Sequence, residues 1–156
     1  RSTETIVSEA FAMPAAIRFV GGLHEDGWSG LMAANAALAR AGRDRLCEAL
    51  GIAPPAPDTM LGSMAAVPLP DLAPTAASAQ QLQAALFDED RIEVPVVVFP
   101  VRAAVDAGGG PAQILVRISA QHYNQPEEYT WLAERLATRA RAARSPRSLL
   151  GRLRRG

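Results

Sequence analysis

The sequence contains no lysine, and all 16 of its basic residues are arginine. Without a side-chain amine the chain cannot form a Schiff base with a carbonyl compound, so chemistry that depends on one is excluded for these residues alone. The single cysteine, Cys47, excludes an internal disulfide and a cysteine-based metal cluster. Because Cys47 lies near Leu46 and Leu50 on a predicted helix, we expect a packed thiol rather than a nucleophile.

Several other features are absent as well. No apolar run approaches the ~20 residues that a membrane-spanning helix needs, and the first residues lack a signal layout, so we expect a cytoplasmic protein with no membrane partner. His24 and His122 lie far apart without spaced carboxylate or thiol partners, which predicts no metal site. We expect His24 in an exposed loop and His122 at a structural turn. No glycine-rich phosphate-binding motif occurs.

The net charge of zero hides an uneven distribution. Residues 1–134 carry 8 arginines against 16 acidic residues, whereas residues 135–156 carry 8 arginines and no acidic residue. A basic tail can contact nucleic acid. This tail has no interleaved aromatic residues, and we therefore expect a solvated, disordered segment over 144–156 with no nucleic-acid partner.

The first half of the chain predicts helices. Pro14 begins or kinks a second turn of an N-terminal helix. Asp26 is the predicted N-cap of a long helix that runs to about Leu50, where Gly51 ends it. Gly42 inside this pattern is less favourable than alanine by roughly 1 kcal/mol, which argues against continuity.

The second half predicts strands as well as helices. Residues 60–67 and residues 91–99 are expected to be strands. Because Pro95 has no N–H to donate, its strand is expected to lie at an edge of the sheet or to leave that position exposed. Ser78 is expected to open the helix between them. A glycine-rich turn over 108–110 connects residues 91–99 to the next strand, so the two strands are expected to be antiparallel.

The last predicted strand carries an arginine. Side chains alternate along a strand, so Ile114, Val116 and Ile118 share one face, while Arg117 lies on the other. An unpaired buried guanidinium is unfavourable by roughly several kcal/mol, so Arg117 is either solvated or has an anionic partner. A carboxylate is a candidate because it matches the guanidinium fork.

A helix follows this strand, with Asn124 as its predicted cap and Glu127 at capping-box spacing. The pattern predicts an α+β fold: a small antiparallel or mixed sheet of three to four strands, with helices on one face and a long helix before it. With 156 residues and 49% apolar residues, the chain is long enough to bury a sizeable core.

Four segments, taken in order, carry a family resemblance. They read Ala-Met-Pro-Ala-Ala-Ile-Arg-Phe at 12–19, Met-Ala-Ala-Val-Pro-Leu-Pro at 64–70, Ile-Glu-Val-Pro-Val at 92–96 and Leu-Val-Arg-Ile-Ser-Ala-Gln-His-Tyr-Asn at 115–124. They resemble the C-terminal part of class V aminotransferase-fold enzymes, and most closely the isopenicillin N epimerase-like group. The resemblance spans about residues 3–143.

The resemblance implies an enzyme that uses pyridoxal 5′-phosphate (PLP), usually as a homodimer, with aminotransferase or epimerase activity on an amino acid. It implies that residues 1–25 are the remnant of a large PLP-binding domain and a connecting helix, and that residues 26–143 are the small C-terminal domain. Arg117 falls on the family's strand arginine, which binds the substrate α-carboxylate. The family's Schiff-base lysine lies in the large domain, upstream of these residues.

The sequence begins without methionine, so we expect a fragment or a processed chain that is inactive alone because it has no lysine. The alternative is a stand-alone α+β binding or interaction module without PLP chemistry. In that module Arg117 binds a small anion or pairs internally.

Overall fold

The computed structural model describes residues 3–100 and 110–144, with side chains from residue 12 to residue 142 within those ranges. Its elements are α1 (Thr3–Gly21), α2 (Gly27–Leu50), a 3-10 turn (Asp58–Met60), β1 (Met64–Pro68), α3 (Ala76–Asp90), β2 (Val96–Phe99), β3 (Gln113–Ser119) and α4 (Pro126–Arg144). After α2 the order is strand, helix, strand, strand, helix. The predicted α+β class is therefore confirmed.

The three described strands form one antiparallel sheet in the order β1-β3-β2. Val116 lies at its centre, opposite Val67 on one side and Val96 on the other. The predicted antiparallel pairing of the last two strands is thus confirmed. Most of the turn predicted to join them, over 108–110, lies outside the described residues.

Helices pack on one face of the sheet and, among the described residues, leave the other face open. The apolar face of the sheet is buried beneath α2, α3 and α4 and comprises Ala65, Val67, Val96, Ile114, Val116 and Ile118. On the open face, Met64, Val97 and Phe99 are each about half exposed. The arrangement of helices on one face is as predicted.

Helix α2 runs without a break from Gly27 to Leu50. It ends at Gly51, which takes a left-handed conformation with φ 69° and donates its N–H to the carbonyl of Glu48, as glycine does at helix ends. Asp26 precedes the helix, but its side chain makes no capping hydrogen bond. Its backbone lacks the extended conformation that aims a cap side chain at the first turn, so Asp26 occupies the predicted N-cap position without capping the helix through its side chain.

Gly42 lies where α2 comes closest to the sheet. A Cβ added at this residue would lie 2.9 Å from Ile118 Cδ1 and 2.9 Å from the ring of Tyr129. Glycine therefore allows the helix to approach β3 and α4 together. The structure explains why a residue of low helix propensity stands inside an unbroken helix.

Two strands are shorter than predicted. Strand β1 begins at Met64 rather than at residue 60, because Asp58–Met60 forms a 3-10 turn. Strand β2 begins at Val96 rather than at residue 91, directly after Pro95. As expected for a strand next to a proline without an N–H, β2 lies at the edge of the sheet.

The structure also changes two details of the predicted helices. Of the two alternatives for Pro14, the start of a new turn is wrong, because Pro14 lies inside α1, which continues to Gly21. Helix α3 is capped by Thr75, whose side-chain oxygen accepts a hydrogen bond of 3.1 Å from the N–H of Ser78. Ser78 is therefore the third residue of the helix and not its cap. The predicted tail beyond α4 lies outside the described residues.

Candidate functional site

Strand β3 places Arg117 on the open face of the sheet. Its neighbours Val116 and Ile118 are buried under the helices, so the alternation along the strand turns the Arg117 side chain the other way. On the flanking strand β1, Arg117 is in register with Ala66, a small exposed residue. The guanidinium therefore projects from the face of the sheet that the described helices leave open.

The Arg117 side chain is exposed, and it has no hydrogen bond or ion pair to any residue that the structure describes. Of the two possibilities raised by the sequence, solvation is therefore the one observed in the chain by itself. A solvated guanidinium keeps all its donors available to a planar anion such as a carboxylate.

A cavity of about 400 Å³ adjoins Arg117 at the edge of the sheet. Its walls are the segment from Arg91 to Pro95, the end of β3 and the first turns of α4. The N–H of Arg117 donates to the carbonyl of Pro95 over 3.0 Å, but Pro95 has no N–H to return. The ladder between the two strands ends there, and the cavity opens beyond it.

Two aromatic residues of α4 line this cavity. The Tyr129 hydroxyl donates a hydrogen bond of 2.8 Å to the carbonyl of Ser119, which fixes the helix against the end of β3. Burial raises the pKa of Tyr129, so the hydroxyl stays a donor at neutral pH. The Trp131 indole N–H donates to the carbonyl of Asp90 over 3.3 Å, and the Arg135 guanidinium lies 4.1 Å from the Trp131 ring centre.

The turn between β3 and α4 is held by its own side chains. The Asn124 side-chain oxygen accepts from the N–H of Gln121 over 2.9 Å, and Asn124 therefore closes the turn rather than capping the helix. Pro126 is the first residue of α4, which makes Gln125 the N-cap. The carboxylate at capping-box spacing is then Glu128, which accepts from the Gln125 N–H over 2.8 Å.

The capping pair is therefore Gln125 and Glu128, one residue later than the predicted pair of Asn124 and Glu127. Glu128 also accepts from the Asn124 side-chain amide over 3.1 Å, so one carboxylate joins the turn to the helix. Sequence reasoning missed the shift because proline is favoured at the first helical position, and this preference moves the cap to the residue before it.

Arg43 is a charged residue that the sequence did not single out. Its side chain is only 3% exposed, and it donates to Asp58 over 2.6 Å, to Asp44 over 2.8 Å and to the carbonyl of Ala56 over 3.1 Å. The hydrogen bond from Arg43 is the main cause that lowers the pKa of Asp58. The contacts with Ala56 and Asp58 tie α2 to the proline-rich connector, so Arg43 has a structural role.

None of the remaining candidates of the sequence lines the cavity beside Arg117. Cys47 is buried, and its burial raises the pKa of the thiol, which agrees with the predicted packed cysteine. His24 is half-buried, and its Nδ1 accepts from the Asp26 N–H over 3.1 Å, so it is less exposed than predicted. His122 lies in the exposed turn after β3.

Two kinds of feature are absent from the described residues. No group of three or more His, Cys, Asp or Glu residues there is placed to hold a metal ion. None of the described helices is long and apolar enough to cross a membrane.

No family model matches the chain, and no curated protein matches it significantly.

Proposed function

We propose that this chain is the C-terminal, substrate-binding portion of a PLP-dependent enzyme of the class V aminotransferase type. In this role Arg117 binds the α-carboxylate of an amino-acid substrate, and another part of the enzyme holds the cofactor. The isopenicillin N epimerase-like segments identified in the sequence support the proposal, as does an α+β fold whose sheet is covered by helices on one face only.

One observation carries the proposal: Arg117 stands on the open face of the sheet, beside a 400 Å³ cavity, with no partner among the described residues. A fork of guanidinium donors recognises a carboxylate through two parallel hydrogen bonds. A contact of this kind fixes a substrate in the orientation that the reaction needs, which can lower the barrier by roughly several kcal/mol.

The residues of this chain do not fit PLP by themselves, because the sequence has no lysine to bind its aldehyde carbon. Incubation of the chain with PLP followed by borohydride is therefore expected to label no side chain, as read by peptide mass spectrometry. A specific labelled side chain would contradict the proposed division of roles between this chain and the rest of the enzyme.

The decisive experiment uses the protein encoded by the reading frame that contains this chain. We expect Arg117→Ala to raise KM for amino acids by about 100-fold, because a charge-assisted bidentate contact is lost. The KM of Arg117→Lys should lie between those of the unmodified enzyme and of Arg117→Ala, since lysine keeps the charge but not the planar fork. The absorption spectrum of bound PLP should be unchanged in both variants.

Arg141→Ala is the matched control, because Arg141 is exposed on α4 and does not line the cavity. This variant should keep the KM of the unmodified enzyme. Equal kinetics in the Arg117 and Arg141 variants would contradict the proposal.

A stand-alone interaction module is the second candidate, and the exposed apolar surface favours it. Met64 and Phe99 on the open sheet face, with Phe19 on α1, are each more than half exposed. A contiguous exposed apolar patch on a monomer is typical of a contact surface. The reading frame distinguishes the two candidates, because a start codon close to Arg1 supports the module, whereas an upstream lysine that follows a predicted strand supports the enzyme.

A further inference from the structure

A second arginine, Arg91, lines the same cavity as Arg117. We infer that this cavity binds an amino acid with a second carboxylate, which Arg117 holds by one carboxylate and Arg91 by the other. The inference rests on the proposed function for the role of Arg117, and it adds the class of substrate.

The position of Arg91 in the chain is unusual for an arginine. It follows the last residue of α3 in a left-handed conformation, with φ 58° and its N–H directed to the carbonyl of Leu86. Glycine is the residue best suited to this position, because a Cβ is unfavourable there. The Arg91 side chain is exposed, and its guanidinium has no hydrogen-bond or ion-pair partner among the described residues.

The other charges of the cavity complete the match to such a ligand. Two carboxylates line it, Glu93 and Glu128. Glu128 is already engaged by the Gln125 N–H and the Asn124 amide. Glu93 has no partner among the described residues and can accept from an ammonium group. Two free guanidinium groups and one free carboxylate correspond to two carboxylates and one ammonium, the charges of an acidic amino acid.

The size of the site agrees with this class of ligand. A volume of about 400 Å³ lies in the range of small-molecule sites and leaves room for a short-chain amino acid. Both arginines are exposed, so solvent and salt screen their charges, and we expect weak binding that decreases as the salt concentration rises.

An NMR titration of the 156-residue chain at low salt tests the inference. The two probes are L-glutamate and L-norvaline, which share their carbon-chain length but differ in the second carboxylate. The chain has two tryptophans: Trp131 lines the cavity, and Trp28 does not. We expect the indole N–H signal of Trp131 to shift while that of Trp28 stays constant, with glutamate binding about tenfold tighter than norvaline.

Three variants test which residues cause the binding and the preference for glutamate. Arg91→Gly keeps the left-handed backbone, so its melting temperature should not fall, and the advantage of glutamate over norvaline should disappear. Arg117→Ala should weaken the binding of both amino acids. Arg141→Ala, which removes an exposed arginine outside the cavity, should change neither affinity.

The possible results separate the inference from the proposed function. Equal affinities of the unmodified chain for the two amino acids would overturn the inference, as would an advantage of glutamate that survives Arg91→Gly. If both affinities still fall in Arg117→Ala, the proposed role of Arg117 stands without the acidic substrate. If Arg117→Ala leaves both affinities unchanged, the proposed function fails as well.

Discussion

Replacement of Gly42 by alanine tests the packing that positions the candidate site. Helix propensity alone predicts that this change stabilises the protein by about 1 kcal/mol, since alanine is the more favourable residue inside a helix. The structure predicts the opposite sign. The added methyl carbon would lie 2.9 Å from both Ile118 Cδ1 and the Tyr129 ring, closer than two carbon atoms normally approach.

Neither of these two neighbours can move away easily. Ile118 is only 2% exposed and lies between the sheet and α2. The Tyr129 ring is held by the hydrogen bond from its hydroxyl to Ser119. Overpacking of a buried site is unfavourable by about 1–3 kcal/mol, and we expect the upper half of that range here. After the gain in helix propensity is subtracted, Gly42→Ala should lower the free energy of unfolding by about 1–2 kcal/mol.

Thermal unfolding followed by circular dichroism measures this effect. For a chain of this length, about 1–2 kcal/mol corresponds to a fall in melting temperature of about 2–8 °C. Ala37→Gly is the control, because Ala37 is an exposed residue of the same helix. It should lower stability by about 1 kcal/mol through helix propensity alone, without shifting the NMR signals of Ile118 or Tyr129.

A higher melting temperature for Gly42→Ala would refute the reasoning. Propensity would then outweigh packing, and α2 would not approach β3 as closely as described. Because Ile118 and Tyr129 also line the cavity beside Arg117, their NMR signals should shift in Gly42→Ala if the close contact is real.

Two further predictions concern pH and thiol chemistry. Because Arg43 lowers the pKa of Asp58, the carboxylate stabilises the folded state above its ordinary pKa of 3.8, and this contribution should be lost as the pH falls below that value. Asp58→Asn should therefore be less stable at pH 7 and lose less stability on acidification, and parallel curves of melting temperature against pH would contradict this. Burial raises the pKa of the Cys47 thiol, so iodoacetamide should modify it only after unfolding, and rapid modification of the native protein, detected by mass spectrometry, would exclude a packed thiol.

The sequence predicted those parts of the fold that depend on local pattern. The alternation of Ile114, Val116 and Ile118 identified the buried face of β3, and Gly51 identified the end of α2. Pro95 predicted an edge strand because a missing N–H is a property of one residue. In each case the deciding information lies within a few positions of the chain.

The features that were missed depend on contacts between distant positions or on competition between neighbours. Arg43 is buried because the connector carrying Ala56 and Asp58 folds back over α2, which no periodicity reveals. The sequence predicted the face on which Arg117 lies, but not the cavity beside it. That cavity requires the divergence of the chain at Pro95 together with the placement of α4.

The cavity also brings Arg91 together with Arg117 and with residues of α4, all of them more than 20 positions away in the chain. In the sequence Arg91 was the first residue of a predicted strand. In the structure Arg91 is the residue directly after α3 and takes a left-handed conformation, which no hydrophobic pattern predicts. A charged residue in a conformation that favours glycine is a signal that becomes visible only when the backbone is known.

The short proline-flanked strands of this sheet also bear on aggregation. A three-stranded sheet has two edges, and exposed edges invite strand pairing between molecules. At the β2 edge, the N–H of Val96 is taken by the side chain of Gln83 over 3.1 Å, and at the β1 edge Pro68 has no N–H. Each edge therefore lacks one donor that an intermolecular ladder would use, which disfavours strand pairing between molecules of a chain with an open apolar face.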